Sequence, residues 1–222
     1  MARTDFDREL TSLMDELLLL GSMVRKSVLK SLVALKTRDL ALSKKVIDDD
    51  DLIDQKAVEI EDKCIHLMAT QQPLAGDLRT VITVLHVASE LERMGDYAEG
   101  IGKIGLKIGT DQLLKPLIDI PRIGKLASNM LKKALETLVA RDTEGAKAVI
   151  ESDDEVDALY NQIYRELLLY MIEDPKTIKK ATYLLWVAHD LERIADRATN
   201  ISERTIFMVA GIKYELYGLE EN

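Results

Sequence analysis

Residues 86–101, HVASELERMGDYAEGI, are answered one hundred positions later by residues 186–201, WVAHDLERIADRATNI. Eight of these sixteen positions are identical: Val87, Ala88, Leu91, Glu92, Arg93, Asp96, Ala98 and Ile101. Shared helical composition does not generate that many matches in one register, so the two stretches read as copies of an internal repeat. Within the first copy Val84, Val87, Ala88, Leu91, Met94, Ala98 and Ile101 recur at steps of three and four. That is the period of a helix burying one face. A second correspondence lies upstream, where Arg38, Asp39, Lys44, Val46, Ile47 and Asp50 reappear as Arg141, Asp142, Lys147, Val149, Ile150 and Asp153.

Working outward, the helical period runs from Phe6 to Leu35 through Leu10, Leu13, Leu17, Leu20, Val24 and Val28. It stops near Thr37. Asp39 is placed to N-cap a second helix reaching about Gln71, and Pro73 and Gly76 separate it from a third, about Leu78 to Ile108. Pro116 and Pro121 mark the junction of the halves, giving expected domains at 1–110 and 111–222. A fourth helix is expected over Ile123 to Ala140, and a fifth, N-capped by Asp142, to about Ile172. After a turn at Asp174-Pro175 a sixth reaches about Gly211. The expected fold is all-α: two tandem antiparallel three-helix bundles related by the repeat. Helices of about 30 residues would be ~45 Å long.

The bulk numbers agree with this reading. The chain has 222 residues, 47% hydrophobic and 31% charged, with only 4 Pro and 11 Gly, which suits a folded helical protein. Thirty Lys and Arg against thirty-nine Asp and Glu leave a net charge of -9, which disfavours nucleic acid as a partner. The apolar runs 167–172 and 183–188 are far below the ~20 residues a membrane span needs, so any membrane association is expected to be peripheral. One cysteine, Cys64, on the apolar stripe of the second helix, reads as a small buried hydrophobe in a reducing cytoplasm.

Four acidic pairs at i,i+4 occupy corresponding places: Asp50 with Asp54, Glu92 with Asp96, Asp153 with Asp157, and Glu192 with Asp196. If the second and third helices fold back near Pro73, Asp50 lies level with Asp96 and Asp54 with Glu92. Folding between Asp174 and Pro175 likewise levels Asp153 with Asp196 and Asp157 with Glu192. Each half would then gather four carboxylates, whose mutual repulsion raises their pKa values or recruits cations. The helical wheel puts Glu92 and Asp96 on the solvent flank of the apolar stripe. Clustered hard oxygens suit Mg²⁺, Mn²⁺ or iron, and zinc less well without His or Cys beside them. The plainer reading is a solvated network in which Lys44, Lys45, Arg93, Lys103, Lys147 and Arg193 pair with these acids.

Other motifs fall away. Residues 100–105, GIGKIG, match G-x-G-x-x-G but follow helix rather than strand, so close helix packing explains them better than a dinucleotide. The ferritin-like Glu-x-x-His pattern fails, because Lys63, Thr83 and Trp186 stand three before His66, His86 and His189. His66 and His86 read as packed or surface residues, and His189 as an outer partner of the second motif. No nucleophile, base and orienting group assemble, so an enzyme is not expected.

Residues 90–98, ELERMGDYA, and 190–198, DLERIADRA, with PLAGDLR at 73–79 ahead of the first, closely resemble the signature of the PhoU family. The resemblance spans Phe6 to about Phe207. It implies a cytoplasmic regulator, not an enzyme, that restrains phosphate uptake and the phosphate-starvation response through the ATPase subunit of a phosphate ABC transporter and a membrane sensor histidine kinase. It also implies metal clusters on E/D-x-x-x-D motifs, matched here by the four acidic pairs. Ala195 and Asn200 depart from Gly95 and Gly100 of the first copy, and Asn200, four residues after Asp196, could add an oxygen ligand. An exposed bundle seam points to a homodimer. The rival classes are metal storage, a metal-dependent phosphoester hydrolase, and a structural bundle whose acids are only a solvated face.

Overall fold

A computed structural model describes residues 2–212 and 214. In order its helices are α1 (Ala2–Thr37), α2 (Leu40–Gln71), α3 (Gly76–Ile108), α4 (Asp119–Ala140), α5 (Thr143–Glu151), α6 (Asp153–Glu173) and α7 (Ile178–Ala210), with a 3-10 turn at Pro175–Thr177. The described residues contain no strand. The expected second unit, 111–222, ends outside the described residues.

The two caps read from sequence form as expected. Asp39 accepts a hydrogen bond from the Leu42 backbone N–H, and Asp142 accepts one from Gly145, each at 2.9 Å. Each satisfies a donor that the first helical turn cannot. Asp174 likewise accepts from Lys176 N–H at 3.0 Å and shapes the turn before α7.

Two expectations need correction. Helix α4 starts at Asp119, so Pro121 lies inside its first turn rather than in the linker. Proline is tolerated there because that N–H has no intrahelical acceptor. The fifth segment is not one helix but two, broken at Ser152. The Ser152 hydroxyl donates back to the Val149 carbonyl at 2.6 Å, competing with the helical ladder, and Asp153, Asp154 and Glu155 form the first turn of the next helix, where acidic side chains favour the helix dipole. In α2 the corresponding position is Asp49, which Lys30 holds at 2.7 Å, and that helix runs unbroken.

Helices α3 and α7 form the antiparallel centre. Helix α3 packs on α1, α2 and α7, and α7 on α3, α4, α5 and α6. One apolar cluster joins both halves: Leu17, Leu20 and Val24 of α1, Ile53 and Ile60 of α2, Leu91 and Met94 of α3, Leu131 of α4, and Leu191 and Ile194 of α7 are all at most 2% exposed. All seven residues of the predicted α3 stripe are buried, as is Cys64. The glycines of GIGKIG pack closely, since a β-carbon at Gly102 would stand 3.1 Å from the Ser43 carbonyl and one at Gly105 2.7 Å from its hydroxyl. No helix among the described residues is long and apolar enough to cross a membrane.

Candidate metal centre

The first acidic group is assembled by the α2–α3 hairpin. Asp50 and Asp54 lie one turn apart on α2, and Asp96 faces them from α3. These three each bring a carboxylate oxygen within 4.8 Å of the others. Glu92 and Asp96 are partly exposed on the flank of α3, whereas Asp50 is only 6% exposed, and its Oδ1 has no hydrogen-bond partner.

Burial pushes the Asp50 carboxyl up from 3.8 to about 7, with Asp54, Glu99, Asp96 and Glu92 adding negative charge around it. Asp54 is raised by burial and then by Asp96, Asp51 and Glu99, against the opposing charge of Arg93. Glu92 is raised by burial and Asp96. One cation sits among them: Arg93 Nη1 lies 2.9 Å from Asp96 Oδ2, and its Nε 3.5 Å from Glu92 Oε2. One guanidinium does not neutralise four carboxylates and leaves Asp50 untouched. Lys103 pairs with Glu99, and Lys45 with Asp49. In this group the solvated-network reading is realised through Arg93. A buried carboxylate with an unpartnered oxygen, joined by two more carboxylates within 4.8 Å, forms a donor set that fits an oxygen-preferring cation. An open cavity of about 480 Å³, bordered by Asp54, His86, Ser89, Glu92 and Arg93, lies beside it.

The second group lies between α6 and α7. Burial raises Asp153 to about 6, with Asp196, Asp157 and Glu192 contributing, and its Oδ1 is likewise buried without a partner. Asp157 and Asp196 are raised by burial and then by Glu192. Glu192 is 6% exposed. Arg193 forms an ion pair with Glu192 and places Nη1 2.8 Å from Asp196 Oδ2. Among the described residues this half brings no three ligand atoms as close as the first half does.

Asn200 turns its amide nitrogen to Glu90 Oε2 at 3.2 Å, and Arg197 donates to the same oxygen at 3.1 Å, so it bridges α7 to α3. His66 and His86 are on the surface. His189 Nδ1 lies 3.6 Å from Asp190 Oδ1, whose carboxyl burial raises to about 6. Sequence reasoning passed over Glu99 and Glu90. Glu99 stands at i+3 from Asp96 and so shares its face. Glu90 was marked by an acid in both copies, Glu90 and Asp190.

The family model for the PhoU domain matches residues 17–105 and 120–205, the two copies of the repeat. The chain belongs to the PhoU family. A relative from Clostridium acetobutylicum named as a phosphate-specific transport system accessory protein PhoU homolog is 37% identical over 217 residues, covering 97% of this chain and 99% of its own. The crystal structure of PhoU from Pseudomonas aeruginosa superposes with a TM-score of 0.89 at 33% identity, covering 93% of this chain and 100% of the other. That of a phosphate transport system regulatory protein PhoU from Streptococcus pneumoniae gives 0.87 at 32% identity, covering 94% and 98%.

Proposed function

We propose that this PhoU-family protein is a metal-binding, non-enzymatic accessory protein of phosphate transport. It restrains a phosphate ABC transporter and its sensor histidine kinase when phosphate is plentiful. The transport assignment is carried by full-length similarity to relatives bearing that name in the same two-repeat fold. The cation part is carried by one observation: Asp50 is buried with an unpartnered oxygen, facing Asp54 and Asp96.

On this reading the protein works in the cytoplasm as an adaptor, as a homodimer, and its contacts are the transporter's ATPase subunit and the cytoplasmic part of the kinase. Mg²⁺, Mn²⁺ or iron bound at Asp50, Asp54, Glu92 and Asp96, and at Asp153, Asp157, Glu192 and Asp196, replaces mutual repulsion with shared attraction and changes the charge that the surface presents. The bound cation supplies charge neutralisation, and the carboxylates hold it. Binding of the purified ATPase subunit and kinase domain to the metal-loaded and chelated chain tests this account. Association that chelation or alanine at Asp50, Asp54, Glu92 and Asp96 weakens supports it; no association with either partner contradicts it.

A further inference from the structure

Residues 17–38 and 120–135 together carry nine basic side chains and no acidic one, in a chain whose net charge is -9. The first stretch covers the C-terminal half of α1 and the second most of α4. These two helices lie side by side and antiparallel: Gly21 abuts Leu135, Gly124 abuts Leu32, and Arg25 Nε donates to Ser128 Oγ at 3.2 Å. They form a layer of their own, since among the described residues α1 does not touch α7 and α4 does not touch α3. The carboxylate groups described above are built on α2, α3, α6 and α7, so α1 and α4 contribute nothing to them.

At about 100° per residue, Leu19, Ser22, Lys26, Leu29, Lys30 and Val33 fall in one outward sector of α1. Arg122, Lys125, Asn129, Lys132 and Lys133 do the same on α4 and are all exposed. Lys30, Arg122 and Lys132 pair with Asp49, Glu155 and Glu136. Lys26, Lys125 and Lys133 have no acidic partner among the described residues. Between the cations stand apolar side chains left in water: Leu19 is 53% and Val33 52% exposed. A cleft of about 340 Å³, bordered by Arg25, Lys26, Leu29, Lys30 and Val33, opens on this face.

We propose that the α1–α4 face rests on an anionic lipid surface, its lysines meeting headgroup phosphates while Leu19, Leu29 and Val33 enter the interface. Lysine suits that boundary because its stem lies along apolar material while the ammonium stays among the headgroups. The net charge of the chain does not forbid this contact. Packed helices stand about 8 to 10 Å apart, about one Debye length at physiological salt, so acids on the far layer are largely screened. A second copy docked by the same face would set lysine against lysine. A nucleic acid backbone would satisfy the lysines but leave the leucines and valine in water. Docking on lipid presupposes the membrane-transport role proposed above, which brings a bilayer within reach, and owes nothing to the cation reading.

The test is co-sedimentation of the full chain, in chelator, with phosphatidylcholine vesicles that contain or lack phosphatidylglycerol, circular dichroism recording the fold of every variant. Binding to the anionic vesicles alone, weakening as salt is raised, is expected. Lys26→Gln, Lys125→Gln and Lys133→Gln combined should weaken it on the order of 100-fold, about five-fold for each charge removed. Lys44→Gln, Lys107→Gln and Lys176→Gln combined remove as much charge from exposed positions on other elements and should leave it unchanged. Equal weakening in both triple variants would reduce the effect to overall charge and overturn the proposal. Absence of binding to anionic vesicles overturns it too, including the case in which the unsubstituted chain retains duplex DNA instead. Neither result touches the transport role, which stands or falls with binding of the ATPase subunit and kinase domain.

Discussion

Asp50 is held in a place that penalises its charge, and the penalty has a pH dependence that can be read in solution. Its carboxyl ionises near 7 in the folded chain against an ordinary 3.8, because burial and then Asp54, Glu99, Asp96 and Glu92 oppose the charge. Between about pH 4 and pH 7 the folded chain keeps a proton that the unfolded chain has released, so stability falls as pH rises across that window. Asp153 and Asp190, each raised to about 6, act in the same direction. Glu16 and Asp49, whose values are lowered, act in the opposite sense at the acid end, below the ordinary carboxylate range, and His86, lowered by burial from 6.5, opposes within the window, one group against the three raised carboxyls. The metal-free protein should therefore melt at a lower temperature at pH 8 than at pH 5.5. Asp50→Asn should raise the pH 8 melting temperature and flatten the profile, as thermal denaturation in chelator would record. A profile that instead climbs between pH 5.5 and pH 8 contradicts the assignment of a suppressed charge at Asp50. The sequence pointed to Asp50 through its repeat partner Asp153 and its i,i+4 neighbour Asp54. It did not reveal the burial, because that depends on the helix lying alongside.

At the scale of elements, the long helices and their caps were legible wherever local signals decided the outcome. Asp39 and Asp142 cap as their positions indicate, and the α1 stripe from Leu13 to Leu35 is the face that packs inward. The break at Ser152 was not legible, since its apolar spacing continues across it and only a side-chain hydrogen bond to Val149 separates α5 from α6. The polar contacts of the α3–α7 seam were hidden for the same reason that Asp50's burial was. Glu90 accepts from both Arg197 and Asn200 there. Replacing Glu90 with Ala strands two half-buried donors and should cost about 1 to 3 kcal/mol, read as a lower urea midpoint at unchanged slope. An unchanged midpoint would mean that this bridge contributes nothing to joining the halves. Asn200, expected beside Asp196 as a possible ligand, is the residue whose position the seam determines.

For the whole molecule, the repeat was the most legible feature, because a fixed offset survives where single motifs are ambiguous. The family model falls on the same two stretches, residues 17–105 and 120–205. The continuity of the core across both halves was less so, since amphipathic stripes give each helix a buried face without naming its neighbour. A cation that binds the folded chain and not the unfolded one stabilises the whole structure. At a free concentration about 100 times its Kd the gain is about 2.7 kcal/mol, or roughly 5 to 10 °C in Tm for a chain of this size. Mn²⁺ should produce that rise in the unsubstituted protein. Alanine at Asp50, Asp54, Glu92 and Asp96 together should remove most of it, as differential scanning calorimetry would measure; equal rises in both would place the binding elsewhere. The most direct measurement is an anomalous difference map from crystals grown with Mn²⁺. The account predicts a peak enclosed by Asp50, Asp54 and Asp96, with Arg93 displaced to its rim. A well-ordered first half with no peak there, and Arg93 still bound to Asp96 and Glu92, would contradict it.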